Sequence, residues 1–340
     1  FFQAEDGIRD YYASRRLGDV YKRQYDNFES HTTRSPLYPV RASVVKTTEN
    51  KIKDMLVKRY NLHELHSYVW AYNDELKAID IPVEDNVKLA NATNPNIETL
   101  RNSIVPTQLC QIKSNLSFSN DFGIFEIGRV VNGLDENGLC IENKKLAITL
   151  YSKTRNVKDI YFELRDILAV VTDEIKHKAL TFEKAEPTHS YEHPVNLYSV
   201  CLDGRNIGTI GIVHPTVSKK IDKKAAIVFA EIDVNAYANT EAAPIVYDEP
   251  SKFPPMDYDI SVEVPQGMFF SHLAECWKNE GGEILKSTKI VDTYDTDTVH
   301  SVTIRFEFSS NERTLSSAEV QKIMDKIISN LSENGVKLRG

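Results

Sequence analysis

The 340-residue chain is poor in the residues that staple or ligate. It has only four cysteines, Cys110, Cys140, Cys201 and Cys276, spaced far apart and never as Cys-x-x-Cys. That excludes a zinc knuckle, a thioredoxin-type motif and a dense disulfide framework. Scattered buried thiols in a reducing compartment are the expectation. No apolar run reaches 18 residues, and the mean hydropathy is -0.37, so no membrane-spanning helix is predicted. No charged-then-apolar stretch marks a secretory signal. The phosphate-cradling patterns GxGxxG and GxxxxGK[ST] are missing, as is a nucleophile elbow. Positive charge is in deficit: 41 Lys plus Arg against 49 Asp plus Glu give a net charge of -8. A protein coated in nucleic acid is thereby excluded, whereas a local basic patch is not.

What is present suggests two domains, at a prior of about 150 residues each. The segment 1–24 starts without methionine and shows neither a 2- nor a 3.6-residue period. Its text resembles a translated sequencing adaptor, and it is set aside from fold reasoning. Residues 25–42, polar and broken by Pro36 and Pro39, read as a linker. Residues 43–245 are expected to form one domain. In it, apolar spacing predicts helices over 44–60, 100–118 (after Pro106) and 161–175. Strands are predicted at 66–72, 123–131, 145–151 and 226–234, and a hairpin over 197–213 turning at Asp203-Gly204. Pro244 and Pro250 mark an interdomain linker.

The stretch 250–340 is the most legible. Ile260, Val262 and Val264 alternate on one strand, and Val302, Ile304, Phe306 and Phe308 on another. A helix over 269–281 presents Phe270, Leu273, Ala274 and Trp277, and Gly281-Gly282 ends it. A strand follows over 284–294. Ser316 and Glu319 form a capping box ahead of a stripe from Val320 to Leu331. A short strand over 336–339 closes the order β-α-β-β-α-β. That is a ferredoxin-like split βαβ unit with both helices on one face and the other face open.

Chemistry is sparse. His189 and His193 stand four apart but between Pro187 and Pro194, so an exposed loop is expected, not a metal site. His63 and His66 are separated by two residues. The acidic groups Asp292/Asp295/Asp297 and Glu183/Glu186 read as solvated loops. No catalytic or metal-binding residue is assigned.

Several stretches, in order, resemble the β subunit of bacterial phenylalanyl-tRNA synthetases. They are Tyr25-Asp26-Asn27, LRNSIVPTQL (100–109), FEIGR (125–129), YFELRD (161–166), LDGRNIGTIGIVHP (202–215) and FAEIDV (229–234). In the last domain they are Lys252-Phe253-Pro254, Asp259-Ile260, Val291-Asp292-Thr293-Tyr294, Glu312-Arg313-Thr314-Leu315 and Leu338-Arg339-Gly340. The resemblance covers about 25–340. It implies an α+β chain: a class II synthetase-like antiparallel sheet with helices, lacking catalytic motifs, then a ferredoxin-like βαββαβ anticodon-binding domain. It further implies an α2β2 assembly with a catalytic α subunit, binding of tRNA(Phe), and a cytoplasmic setting without membrane attachment. ATP and magnesium would serve the complete enzyme and not this stretch.

By the same resemblance, Tyr294 would stack on an anticodon base, a contact worth about 1–3 kcal/mol. Arg305, Arg313, Lys337 and Arg339 are the candidate phosphate contacts. One departure stands out: Tyr258, after Asp257, occupies the place of a family arginine. The terminal domain carries 14 acids against 10 Lys plus Arg from Pro250 on, so any RNA contact must be local. Two rival readings are an amino-acid-sensing ferredoxin-like module, which would need a glycine-rich ligand loop, and a protein scaffold. Neither would shift tRNA in a gel.

Overall fold

A computed structural model describes residues 36, 38–70, 72–83, 86–245, 247, 249, 251–265, 268, 270–278, 280–296 and 300–339. The expectations for 1–24, for Tyr25-Asp26-Asn27 and for most of the 25–42 linker lie outside them. The chain divides into two compact units, the first ending at Ala243 and the second starting at Pro244.

The first unit is built on a seven-stranded sheet. Its strands are β1 (His63–Glu64), β2 (Asp121–Leu134), β3 (Cys140–Ser152), β4 (Thr181–Lys184), β5 (Glu192–Leu202), β6 (Arg205–Val213) and β7 (Ala226–Asp233). They lie in the order β1-β2-β3-β7-β6-β5-β4, antiparallel except for the short parallel β1–β2 pair. The central strands alternate between two apolar faces. Leu146, Ile148 and Leu150 of β3, with Val228, Ala230 and Ile232 of β7, enter one core. Ala147, Tyr151, Ile227 and Phe229 enter the other.

Helices cover both faces. Over the first lie α1 (Val44–Lys58), through Ile52 and Leu56, and α4 (Val157–Lys176), through Ile160, Leu164, Ile167, Leu168 and Val171. Ser43 caps α1 and Asn156 caps α4, each accepting a hydrogen bond from the first turn. Over the second lie α2 (Asn73–Ala78), α3 (Val105–Ser114) and α5 (Pro215–Ile221). A last turn, α6 (Val234–Asn239), leads away from β7. The hairpin turn at Asp203-Gly204 has positive φ at both residues, 53° and 72°, as a two-residue turn matched to strand twist requires.

Several expectations need correction. The described residues of 66–72 do not form a strand: the β1 ladder ends at Glu64, and Trp70 meets Leu100 only in an isolated bridge. There the Ser67 hydroxyl bonds to Glu126 and Arg101, and the backbone makes no ladder with a neighbouring strand. The helix after Pro106 is shorter, ending at Ser114. His193 lies on β5, half-buried, and its Nδ1 accepts the Val195 and Asn196 amides. His189 does lie in the loop between β4 and β5, but half-buried and stacked on Tyr191 at 5.2 Å, so only His193 departs from the expected loop. Cys140, unlike the other three cysteines, is exposed.

The second unit has strands β8 (Met256–Glu263), β9 (Leu285–Asp295), β10 (His300–Phe308) and β11 (Lys337–Leu338), with helices α7 (Phe270–Lys278) and α8 (Ser317–Glu333). The sheet order β11-β8-β10-β9 and the element order are those of the ferredoxin-like unit. Val262, Ile304, Phe306 and Phe308 pack under Leu273, Cys276 and Trp277 of α7 and Val320, Met324, Ile327 and Leu331 of α8. Each such side chain contributes about 1.5–3 kcal/mol on burial. Phe270 sits on the rim, 42% exposed, with its ring 6.0 Å from Trp277. Helix α7 ends at Lys278, before the glycines.

Candidate nucleic-acid interface

The face of the four-stranded sheet opposite the helices carries polar side chains. The β8–β10 register pairs Asp257 with Glu307, Asp259 with Arg305, Ser261 with Thr303 and Glu263 with Ser301. Paired residues of antiparallel strands share a face, so all eight lie opposite the core. On the far side, β10 pairs Glu307 with Ser287, Arg305 with Lys289, Thr303 with Asp292 and Ser301 with Tyr294.

The β9 register contains the decisive local feature. Ile304 pairs with Ile290, but its neighbour Thr303 pairs with Asp292. Val291 is thus an extra residue, a β-bulge. Strict alternation from Ile290, whose partner Ile304 is fully buried, would point Asp292 and Tyr294 toward the helix side. The bulge reverses the parity and delivers both to the open face. Tyr294 is 52% exposed there.

The five candidate contacts differ in their surroundings. Arg305 grips Asp259 through two hydrogen bonds of 2.8 and 2.7 Å, with Asp257 at 3.7 Å. This fork holds the Asp259 carboxyl below its ordinary range and pushes the guanidinium higher still. Arg313 lies outside the sheet and makes a similar fork to Glu319 at 2.8 and 2.6 Å. Glu319 also closes the capping box of α8. The Arg313 bonds first, and the Ser316 amide and hydroxyl second, hold the Glu319 carboxyl down at about 2. Lys337 and Arg339 carry no ion pair among the described residues. Lys337 stands opposite Glu263, and the Arg339 amide donates to the Ser261 carbonyl at 2.8 Å, extending β11 by one residue. The Arg339 guanidinium carbon lies 5.1 Å from the Tyr294 ring centroid. The structure therefore brings Tyr294, Arg305, Lys337 and Arg339 to one face and leaves Arg313 at the start of α8.

The glycines that a ligand loop would require have other work. A Cβ on Gly281 would lie 2.3 Å from the Leu285 Cβ, and Gly282 sits at φ 53°. Both are backbone requirements of the turn into β9. Tyr258, in the departing position, donates its hydroxyl to Gln321 on α8.

The first unit holds a buried polar network that sequence reasoning missed. Arg101 donates to Glu126 at 2.8 Å, with both side chains 3% exposed. Ser67 joins them, donating to Glu126 at 2.6 Å and accepting from Arg101 at 2.6 Å. Beside it, Glu231 accepts from the Ser103 hydroxyl (2.9 Å), the Ile104 amide (2.7 Å) and Lys145 (2.7 Å). The Glu231 carboxylate thus holds the chain entering α3. The signal was legible as acids set into apolar strands, in FEIGR and FAEIDV. Both carboxylates are satisfied by protein donors, and no group of three His, Cys, Asp or Glu among the described residues fits a metal ion. Among those residues no helix is long and apolar enough to cross a membrane.

Comparisons with known proteins agree with this architecture. Residues 29–234 match the family model described as the phenylalanyl tRNA synthetase beta chain CLM domain, and residues 251–339 match the ferredoxin-fold anticodon binding domain. Among similar curated proteins is the phenylalanine–tRNA ligase beta subunit of Bacillus subtilis (strain 168), 27% identical over 78% of this chain and 34% of its own length. Those of Staphylococcus haemolyticus and Aquifex aeolicus are 29% and 24% identical, over 82% and 92% of this chain and 36% and 40% of theirs. The chain spans between a third and about two fifths of the length of these relatives.

Proposed function

Because this chain belongs to the phenylalanyl-tRNA synthetase beta-chain family, we propose that it acts in aminoacylation of tRNA(Phe) without catalysing it. In this reading the second unit binds the anticodon region on its open sheet face. The observation that carries it is the bulge at Val291, which presents a half-exposed aromatic ring on a face otherwise made of small and charged groups. An aromatic face accepts any base by stacking. Among the described residues the open face carries no second aromatic ring beside Tyr294, so the contact differs from the multi-base platform of RRM domains.

Arg305 contributes to phosphate binding only by exchanging a bidentate carboxylate partner, so it adds little net affinity. Lys337 and Arg339 are the better cations. The first unit would contact the catalytic α subunit of an α2β2 assembly. The tip of the β2–β3 hairpin supports this, since Leu134, Leu139 and Ile141 are 52%, 65% and 43% exposed. ATP and magnesium would be handled by that partner. Catalysis, in this reading, belongs to that partner; in this chain the buried carboxylates Glu126 and Glu231 are taken up by protein donors.

Binding of a labelled anticodon stem-loop RNA to the full chain tests the proposal. Tyr294→Ala is expected to weaken it by about 1–3 kcal/mol and Tyr294→Phe hardly at all, since stacking uses the ring. Equal losses in both variants would indicate a hydroxyl contact instead, and no loss in either would remove Tyr294 from the interface.

A further inference from the structure

Tyr294 and Arg339 come from the two opposite edges of the four-stranded sheet, β9 and the residue after β11. They meet above the strands between them, over three small outward side chains beside the longer Glu263. Ser261 and Thr303, bonded to each other at 2.9 Å, and Ser301 form the floor. The backbone of Arg339 is tied to Ser261 by its amide, which sets its side chain out over this floor, with the guanidinium carbon 5.1 Å from the ring centroid.

We infer that Arg339 is a positioning residue: its guanidinium holds the Tyr294 ring over the sheet and, with it, forms one composite stacking platform for an unpaired base. The inference rests on the reading of this face as an RNA-binding surface. It changes the role of Arg339 from phosphate anchor to ring partner. A cation over an aromatic face is attracted by the ring quadrupole, and a planar guanidinium can itself stack on a base. Tyr294 keeps about half of its surface open, as a platform supported on one side requires.

The two roles give different measurements on the full chain with the same stem-loop RNA. As ring partner, Arg339→Ala is expected to weaken binding about two- to fivefold, the scale of an exposed cation–π contact. The slope of log affinity against log salt stays as in the unaltered chain. Arg339→Lys restores little, and Arg339→Ala adds nothing once Tyr294→Leu is present. A phosphate anchor would instead flatten the slope by about 0.7, be rescued by lysine and add fully to Tyr294→Leu, and that result overturns the inference. A second arm needs no RNA. In the free chain, Arg339 side-chain NMR signals are expected upfield, shifted by the ring, and to return in Tyr294→Leu. Their absence overturns the inference whether or not RNA binds. A chain showing the ring shift but binding no stem-loop would refute the RNA interface itself, and the positioning role with it.

Discussion

At the scale of single residues, the buried charges of the first unit are the most consequential positions. Arg101 and Glu126 have exchanged water for each other, Ser67 and the Arg129 carbonyl. Such a pair adds little net stability over an apolar pair, but breaking it strands a charge in the core. Arg101→Met is therefore expected to cost about 3–5 kcal/mol in urea unfolding, and the double change Arg101→Met/Glu126→Leu to recover much of it. A double variant no more stable than the single would show that the pair matters for geometry and not charge. Gly128 stands two residues along β2, where an added Cβ would come within 2.5 Å of the Arg101 guanidinium and 2.8 Å of the Glu126 carboxylate. Gly128→Ala should cost about 1–3 kcal/mol by crowding these groups. Two residues of the FEIGR motif, Glu126 and Gly128, are thus explained by packing around one ion pair.

At the scale of elements, the bulge in β9 and the cap of α8 carry separate tasks. Deleting Val291, itself 51% exposed, should restore regular pairing while Asp292 stays opposite Thr303 and Tyr294 opposite Ser301, so that Tyr294 keeps its place on the open face. Stem-loop binding and far-ultraviolet circular dichroism should then both be retained; a fall in binding as deep as in Tyr294→Ala, with the fold intact, would contradict the assigned pairing. The cap has a pH signature. Glu319 is held at about 2, below its ordinary value of 4.5, by Arg313 first and Ser316 next. A carboxyl depressed in the fold stabilises it fully above its unfolded value and ceases to do so as pH falls through the folded one. Melting temperatures of Glu319→Gln should therefore lie below those of the unaltered chain at pH 5–7 and converge with them toward pH 2. Ser316→Ala should cost about 1 kcal/mol at neutral pH.

At the scale of the whole molecule, two units with separate cores are expected to divide the work between protein and RNA partners. Leu139→Asp, at the exposed hairpin tip, should impair co-purification with the α subunit and leave stem-loop affinity unchanged. Normal assembly of that variant would move the contact elsewhere. The chain alone should leave phenylalanine-dependent pyrophosphate exchange at background, because its sequence holds neither GxGxxG nor GxxxxGK[ST] to cradle the phosphates on which transition-state charge develops. Exchange by a pure sample would refute the division of labour.

The sequence by itself determined the elements whose side-chain pattern repeats. Alternation fixed the inward faces of β8 and β10, the 3.6-residue spacing fixed α1, α4 and α8, and Asp203-Gly204 fixed its turn, because each signal is local. Ordered motifs also identified the family from residues alone. Only the tertiary structure decided features that depend on a partner distant in sequence. Ser67 left the expected strand for Glu126, 59 residues on. Arg305 and Arg313 proved to be matched to carboxylates by strand register and helix capping. The exposure of Tyr294 was unreadable because one extra residue inverts the two-residue period. Arg339 could not be joined to it from the sequence, since they lie on opposite edges of the sheet and meet only over a floor of small side chains.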